Sequence, residues 1–240
     1  MAFVPDEEVG LRGAKALDLT RFDVDFAWTI DCCEKGEIVF ENFNAASASI
    51  DFTGVTAHPM SAKGVLVNPL LMAMDYISHF DRLQTPEHTE GREGYVWFNG
   101  MEAVQGHAHL SASIRDFDKE SFERRKQQIA DVANIIAAQY PTAKVEYSIS
   151  DIYSNISNAI GEDKRAIDLL FEAMNTLGIT PKPTPMRGGT DGAALSAKGL
   201  LTPNFFTGAH NFHSQFEFLP LKSFEASYQV ALQLCLLAAR

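Results

Sequence analysis

Ala46, Ala48, Ile50 and Phe52 alternate with Ser47, Ser49, Asp51 and Thr53, the two-residue period of a strand buried on one face. Asn68-Pro69 then reads as a helix cap followed by proline at the first helical position, with Leu70, Leu71, Met74 and Ile77 following at helical spacing. Tyr95 to Val104 predicts a strand broken or bulged at Gly100. Ala108, Leu110, Ala112 and Ile114 alternate with His107, His109, Ser111 and Ser113, so Gln105-Gly106 reads as the hairpin turn joining two strands. Asp118 caps a predicted helix with Phe122, Ile129, Val132, Ala133 and Ile136 on its inner face, ended by Pro141. Val145, Tyr147 and Ile149 alternate again. The order over 43–153 is strand, helix, strand, strand, helix, strand: a ferredoxin-like βαββαβ unit, four antiparallel strands with two helices on one face.

The flanks, 1–42 and 154–240, read as α/β. Ala2 to Val4 resembles the end of a buried strand, Leu11 to Leu19 a short helix, and Phe26 to Ile30 an apolar strand ending at Asp31. Ile167, Leu170, Phe171, Met174 and Leu177 form one helical face, which Gly178 terminates. Pro181 to Pro185 is an extended connection, Thr190-Asp191 opens a small-residue helix through Lys198, and Asn204 to Thr207 reads as a buried strand. On the last helix, Phe224, Tyr228, Ala231, Leu232 and Cys235 are expected to face inward. The organisation is an α/β domain interrupted by a compact insertion.

A net charge of −11 opposes general nucleic-acid binding and docking on anionic lipid, both of which need clustered Lys and Arg. Three cysteines, with Cys32 and Cys33 adjacent, make no disulfide framework and point to a reducing, cytoplasmic setting. The longest apolar run, near Val230 to Ala239, is too short to span a bilayer.

Candidate chemistry lies at the expected strand ends, where open α/β sheets place their sites. Glu7-Glu8 is either a solvated acidic loop or a metal ligand beside a base. Asp31 is either a turn residue or a ligand, and His213 either a surface histidine or a ligand. A set of one histidine and several carboxylates suits zinc, cobalt or manganese better than calcium. Arg187-Gly188-Gly189-Thr190-Asp191-Gly192 is a tight turn opening a helix, with Thr190 or Asp191 as cap, and Arg187 is placed to clamp a carboxylate. His58 and Arg115 are either polar tips of the insertion facing the other domain or plain surface residues. His107 and His109 share a strand face, read as solvent-facing rather than metal-binding, and Cys32-Cys33 reads as a pair of small buried thiols.

In order, Pro5-Asp6-Glu7-Glu8-Val9-Gly10, Asp31, Thr56-Ala57-His58-Pro59, Ile114-Arg115-Asp116-Phe117-Asp118, the Arg187 to Gly192 turn and Asn211-Phe212-His213 resemble the peptidase T family of co-catalytic zinc metallopeptidases. The resemblance covers the whole chain and implies a partial zinc-peptidase catalytic domain carrying a lid. It implies a cytoplasmic aminopeptidase that releases the N-terminal residue of tripeptides, with short peptides as partners and two zinc ions in a complete active site. Glu7 would be the general base, Glu8 and His213 would bind one zinc and Asp31 the other. His58, Arg115 and Arg187 would bind substrate. The family's His-x-Asp pair and metal-bridging Asp have no counterparts here, and Cys32-Cys33 stand where the family has two glycines. The expectation is therefore an inactive C-terminal portion, prone to self-association. The alternative is a non-catalytic binding or oligomerisation module derived from such a peptidase.

Overall fold

The computed structural model describes residues 1–31 and 33–239; the reading of Cys32 lies outside the described residues. In chain order the elements are α1 (Arg12–Ala16), β1 (Thr29–Ile30), β2 (Glu37–Val39), β3 (Asn44–Thr53), α2 (Pro69–Ser78), β4 (Tyr95–Val104) and β5 (His107–Asp116). They continue with α3 (Lys119–Gln139), β6 (Lys144–Tyr153), α4 (Arg165–Thr176), β7 (Lys182–Pro183), α5 (Asp191–Ala197), β8 (Asn204–Phe205) and α6 (Leu221–Ala238). The chain divides into two compact units, 44–152 and the combination of 1–43 with 153–240.

The continuous unit has the βαββαβ order and a sheet ordered β4-β5-β3-β6, the ferredoxin-like arrangement. β3 and β5 pair antiparallel from Asn44↔Asp116 to Thr53↔His107. The shared register puts Ala46, Ile50, Phe52, Leu110 and Ile114 on one buried face, against α2 and α3. The β4–β5 register shifts between Phe98 and Gly100, at the predicted break. Asn68 caps α2 by accepting from the Leu70 N–H (3.0 Å), and Asp118 caps α3 by accepting from the Ser121 N–H (2.8 Å). On α2 the buried set is Pro69, Met72, Ala73 and Tyr76, whereas Leu70, Leu71 and Met74 are exposed. The Tyr76 hydroxyl donates to the Ile129 carbonyl of α3 (2.8 Å), and this bond fixes which α2 face turns inward.

The discontinuous unit has a sheet ordered β1-β8-β2-β7, with β8 parallel to β1 and antiparallel to β2. α4 and α6 pack on Ile38, Phe205 and Phe206, while α1 and α5 join through Leu11, Ala14, Ala194 and Leu195. Two buried asparagines clasp the points where the chain leaves and returns. The Asn42 N–H donates to Asn155 Oδ1 (2.9 Å), and the Ile156 N–H donates to Asn42 Oδ1 (2.7 Å).

Several expectations for the flanks are corrected here. The 11–19 helix is five residues long, followed by a short turn of 3-10 helix at Leu19–Arg21 that Asp18 caps. The strand expected at 26–30 is confined to Thr29–Ile30, and β2 was not anticipated. Ala2 to Val4 is not a strand, and Phe3 is 91% exposed. On α6 the buried residues are Ser227, Val230, Leu234 and Leu237; Phe224, Tyr228, Leu232 and Cys235 face solvent instead of the core. The helix is apolar on two opposite faces, so periodicity alone does not choose between them.

An isolated 44–152 segment is expected to unfold in one cooperative transition, because its buried cluster is formed by its own residues. Leu110→Ala, which truncates a fully buried side chain, should lower its stability by about 3 kcal/mol. A denaturant titration of the two proteins checks both statements.

Candidate active site

The discontinuous unit positions a group of carboxylates on short, backbone-pinned turns. Asp6 adopts a left-handed conformation, and the Gly10 and Leu11 N–H groups both donate to the Glu7 carbonyl (3.1 and 2.9 Å). The turn is pressed onto α1 at Gly13, where a Cβ would lie 2.3 Å from the Pro5 carbonyl oxygen. Glu7 and Glu8 are therefore presented from a fixed loop.

Asp31 immediately follows β1. Its N–H donates to the Phe205 carbonyl (3.3 Å), and its own carbonyl accepts from Asn204 Nδ2 (2.7 Å). Asn204 is fully buried and also accepts from the Thr29 hydroxyl (2.9 Å), so one amide sets the exit of both parallel strands. His213 sits in a turn closed by the paired backbones of His210 and Phe218. Its φ is 60°, and its N–H donates to Glu217 Oε2 (2.8 Å). Its Nε2 lies 3.2 and 3.1 Å from the two Glu8 carboxylate oxygens.

Glu7, Glu8, Asp31 and His213 line one cavity of about 640 Å³, together with Glu217 and an apolar wall of Met186, Phe212, Phe218 and Leu219. Partial burial, then Asp31, Glu8 and Asp191, push the Glu7 carboxyl up to about 7; His213 opposes the rise. Burial and the Asp31 charge also raise the Asp191 carboxyl. Asp191 is the first residue of α5, capped by the Thr190 hydroxyl, and its Oδ1 is buried without a hydrogen-bond partner among the described residues. Gly192 lets α5 approach this closely, since a Cβ there would fall 2.4 Å from the Thr202 carbonyl oxygen.

The acceptor-rich set, with an orphaned carboxylate oxygen and one imidazole, has the chemistry of a cation site. Among the described residues no three His, Cys, Asp or Glu side chains are grouped to hold a metal ion.

Arg187, the remaining sequence-selected residue of this unit, is not among those lining the cavity. The Arg187 guanidinium carbon lies 5.0 Å from the Phe43 ring centroid, although its neighbours Met186, Gly188 and Gly189 line the cavity. In the inserted unit, His58 is exposed and its Nδ1 accepts from the Met60 N–H (3.2 Å), which leaves the ring proton on Nε2. Arg115 Nη1 donates to the Ala46 and Ile114 carbonyls (3.0 and 2.9 Å). His107 and His109 both bond Asp51 Oδ1 (3.1 and 2.9 Å), a polar row on the open sheet face.

Asn204, Glu217 and the acidic role of Asp191 went unread in the sequence. The only signal for Asp191 was its place after Gly-Gly-Thr, where a helix cap is the ordinary explanation.

The comparisons with known proteins bear directly on this fold. The peptidase dimerisation domain family matches residues 40–144. The solved structure of aminopeptidase PepT from Bacillus cereus superposes with a TM-score of 0.82 at 20% identity, over 95% of this chain and 61% of that one. A dinuclear metal-binding peptidase of Bacillus subtilis does so at 0.74 and 18%, over 98% of this chain and 64% of that one. In sequence the chain is similar to peptidase T proteins. It is 68% identical to a peptidase T-like protein of Yersinia pestis over all of its own length and 58% of that protein's. It is 41% identical to peptidase T of Caldanaerobacter subterraneus, over 98% of this chain and 57% of that protein. The chain thus spans little more than half the length of the curated relatives it matches.

Because the Glu7 carboxyl titrates near 7 instead of 4.5, its ionisation opposes folding. In the metal-free chain the penalty is absent below about pH 4.5, grows between 4.5 and 7, and is complete above 7. Glu7→Gln should therefore leave stability unchanged at pH 4.5 and raise it by about 1 kcal/mol at pH 8, less than the full ~1.4 kcal/mol per pKa unit because solvent screens the site. Denaturant midpoints at the two pH values check this. Asn204→Ala should cost about 1–3 kcal/mol, since it removes a buried amide and orphans the Thr29 hydroxyl and the Asp31 carbonyl; thermal unfolding of the variant checks it.

Proposed function

We propose that this chain carries part of the active site of a zinc-dependent aminopeptidase that removes the N-terminal residue of tripeptides in the cytoplasm. The observation that supports the reading best is the convergence of Glu7, Glu8, Asp31 and His213 on one cavity from three separate turns. Bound zinc ions would supply Lewis acidity toward the scissile carbonyl. Glu8 with His213, and Asp31 separately, are the residues of this chain that would hold them. Glu7, with its carboxyl near 7, is matched to take a proton from water at neutral pH and return it to the leaving amine. The Nε2–H of His58 is a donor suited to a developing oxyanion, and Arg115 and Arg187 are suited to a peptide's polar groups.

The chain alone is proposed to be inactive, because the donors it contributes do not by themselves enclose a metal ion. A second reading, a homo-oligomerisation module, is favoured by the match of residues 40–144 to the peptidase dimerisation domain family. The two readings are compatible, since one polypeptide can contribute both a subunit contact and half a site. Among the described residues no helix is long and apolar enough to cross a membrane.

Purified chain, with and without added zinc, is expected to show weak metal retention and no hydrolysis of a tripeptide. Two tightly bound zinc ions with turnover would show that the residues on hand complete the site and would overturn the proposed incompleteness. Sedimentation of the same sample tests the oligomeric reading, which a strictly monomeric chain would remove.

A further inference from the structure

His213 turns toward Glu8 from an open position. Its side chain is 76% exposed and that of Glu8 71%, so packing does not aim the ring and the backbone beneath it must. Asn211 and His213 both take left-handed conformations, with φ of 59° and 60°, on either side of Phe212. A non-glycine residue keeps such a conformation only where its surroundings over-determine it. Here the 210–218 loop closes on itself. The His210 N–H donates to the Phe218 carbonyl (3.0 Å) and the Phe218 N–H to the His210 carbonyl (3.2 Å), which ties the two ends. Asn211 Nδ2 donates to the Phe216 carbonyl (3.1 Å), so the first left-handed residue is braced through its own side chain. The second is braced from outside. The His213 N–H donates to Glu217 Oε2 (2.8 Å), while the Glu217 N–H donates to the Ser214 carbonyl (3.1 Å) and so turns the carboxylate back over the loop.

The outcome is a pair of donors at the separation one metal ion requires. His213 Nε2 lies 3.1 and 3.2 Å from the two Glu8 carboxylate oxygens. Two ligand atoms each about 2.0–2.1 Å from one tetrahedral zinc stand roughly 3.3 Å apart, so the pair needs little movement to receive it. We propose that Glu217 is a positioning residue: by taking the His213 N–H it fixes the left-handed turn that aims the imidazole at Glu8, and so sets the pair for a divalent cation. The bond is made to a backbone N–H and not to the imidazole, so a neutral acceptor in the same place would serve equally. The inference rests on the reading of Glu8 and His213 as zinc ligands, and adds to it a residue that acts only through His213.

Glu217→Ala removes the acceptor, and Glu217→Gln keeps it without the charge. In the metal-free chain, nuclear Overhauser contacts between the His213 ring and the Glu8 side chain should be present, lost in the alanine variant and retained in the glutamine variant. A zinc titration followed on the His213 ring resonances should give an affinity about tenfold weaker for Glu217→Ala, the size of effect that partners orienting a metal ligand exert, and within about twofold of the parent for Glu217→Gln. A lowered unfolding midpoint in Glu217→Ala with the ring contacts intact would mark the bond as structural only and overturn the proposal. Glutamine behaving as alanine would overturn it too, since the charge or direct ligation would then matter and not the acceptor. Zinc held at His213 with one affinity in all three proteins would overturn it while leaving the peptidase reading intact. Ring contacts that follow Glu217, with no effect of millimolar zinc on His213, would uphold the brace and overturn its link to a cation, together with the zinc reading itself.

Discussion

An unbroken domain inserted into another imposes one geometric demand: the two points where the host chain is cut must be brought together and held. Here the demand is met by the Asn42–Asn155 clasp. Each asparagine serves the backbone on the other side of the cut, through the Asn42 N–H to Asn155 Oδ1 and the Ile156 N–H to Asn42 Oδ1. The remaining capacity of Asn42 goes to the Phe43 and Gly188 carbonyls, at 3.1 and 3.3 Å. The clasp thus also fixes the glycine-rich turn that leads to Thr190 and Asp191. Both asparagines are buried, so replacing either would strand several donors and acceptors away from water. An apolar pair could fill the same volume but could not select this register.

The cavity is built on the opposite logic. Where the clasp satisfies its polar groups, the site leaves them in excess. Glu7, Glu8, Asp31 and Asp191 bring four carboxylates into mutual influence, and His213 opposes the rise of the Glu7 carboxyl. Close burial of like charges raises carboxyl pKa values and costs stability, and a domain with no use for the arrangement would gain by diluting it. Asn204 and the Pro5 to Gly13 turn hold it in place all the same. Rigid support for an electrostatically unfavourable cluster is what a cation-binding or acid–base site requires, because preorganised acceptors lose less when the positive charge arrives.

How far the sequence could be read followed the kind of force involved. In the inserted unit one face of every element is packed and the other is wet, so the alternation at 46–53 and 107–114 and the inner face of α3 were legible residue by residue. In the discontinuous unit the strands are two or three residues long and carry no measurable period, which hid β2 and shortened β1. The reversal on α6 has the same root: a helix apolar on two sides offers periodicity no contrast. Glu7, Glu8, Asp31 and His213, each weak alone, were picked out together by the resemblance of the motif order, and the structure places them on one cavity. Asn204 was not, since its bond to Thr29 spans 175 positions and no local pattern encodes it, nor was the burial of Asp191, while Glu217 acts through a four-residue turn that carries no hydrophobic period.

Two features that look unrelated, the crowded carboxylates and the bare ridge of α6, are the same kind of physical statement. Each is a surface whose free energy is high as it stands, one through unneutralised charge and the other through hydrated apolar area. A marginally stable domain tolerates such surfaces only where something lowers their cost in the working state, since a few kcal/mol is a large share of its stability. A positive charge among the carboxylates would lower the first cost, and cover by another apolar surface the second.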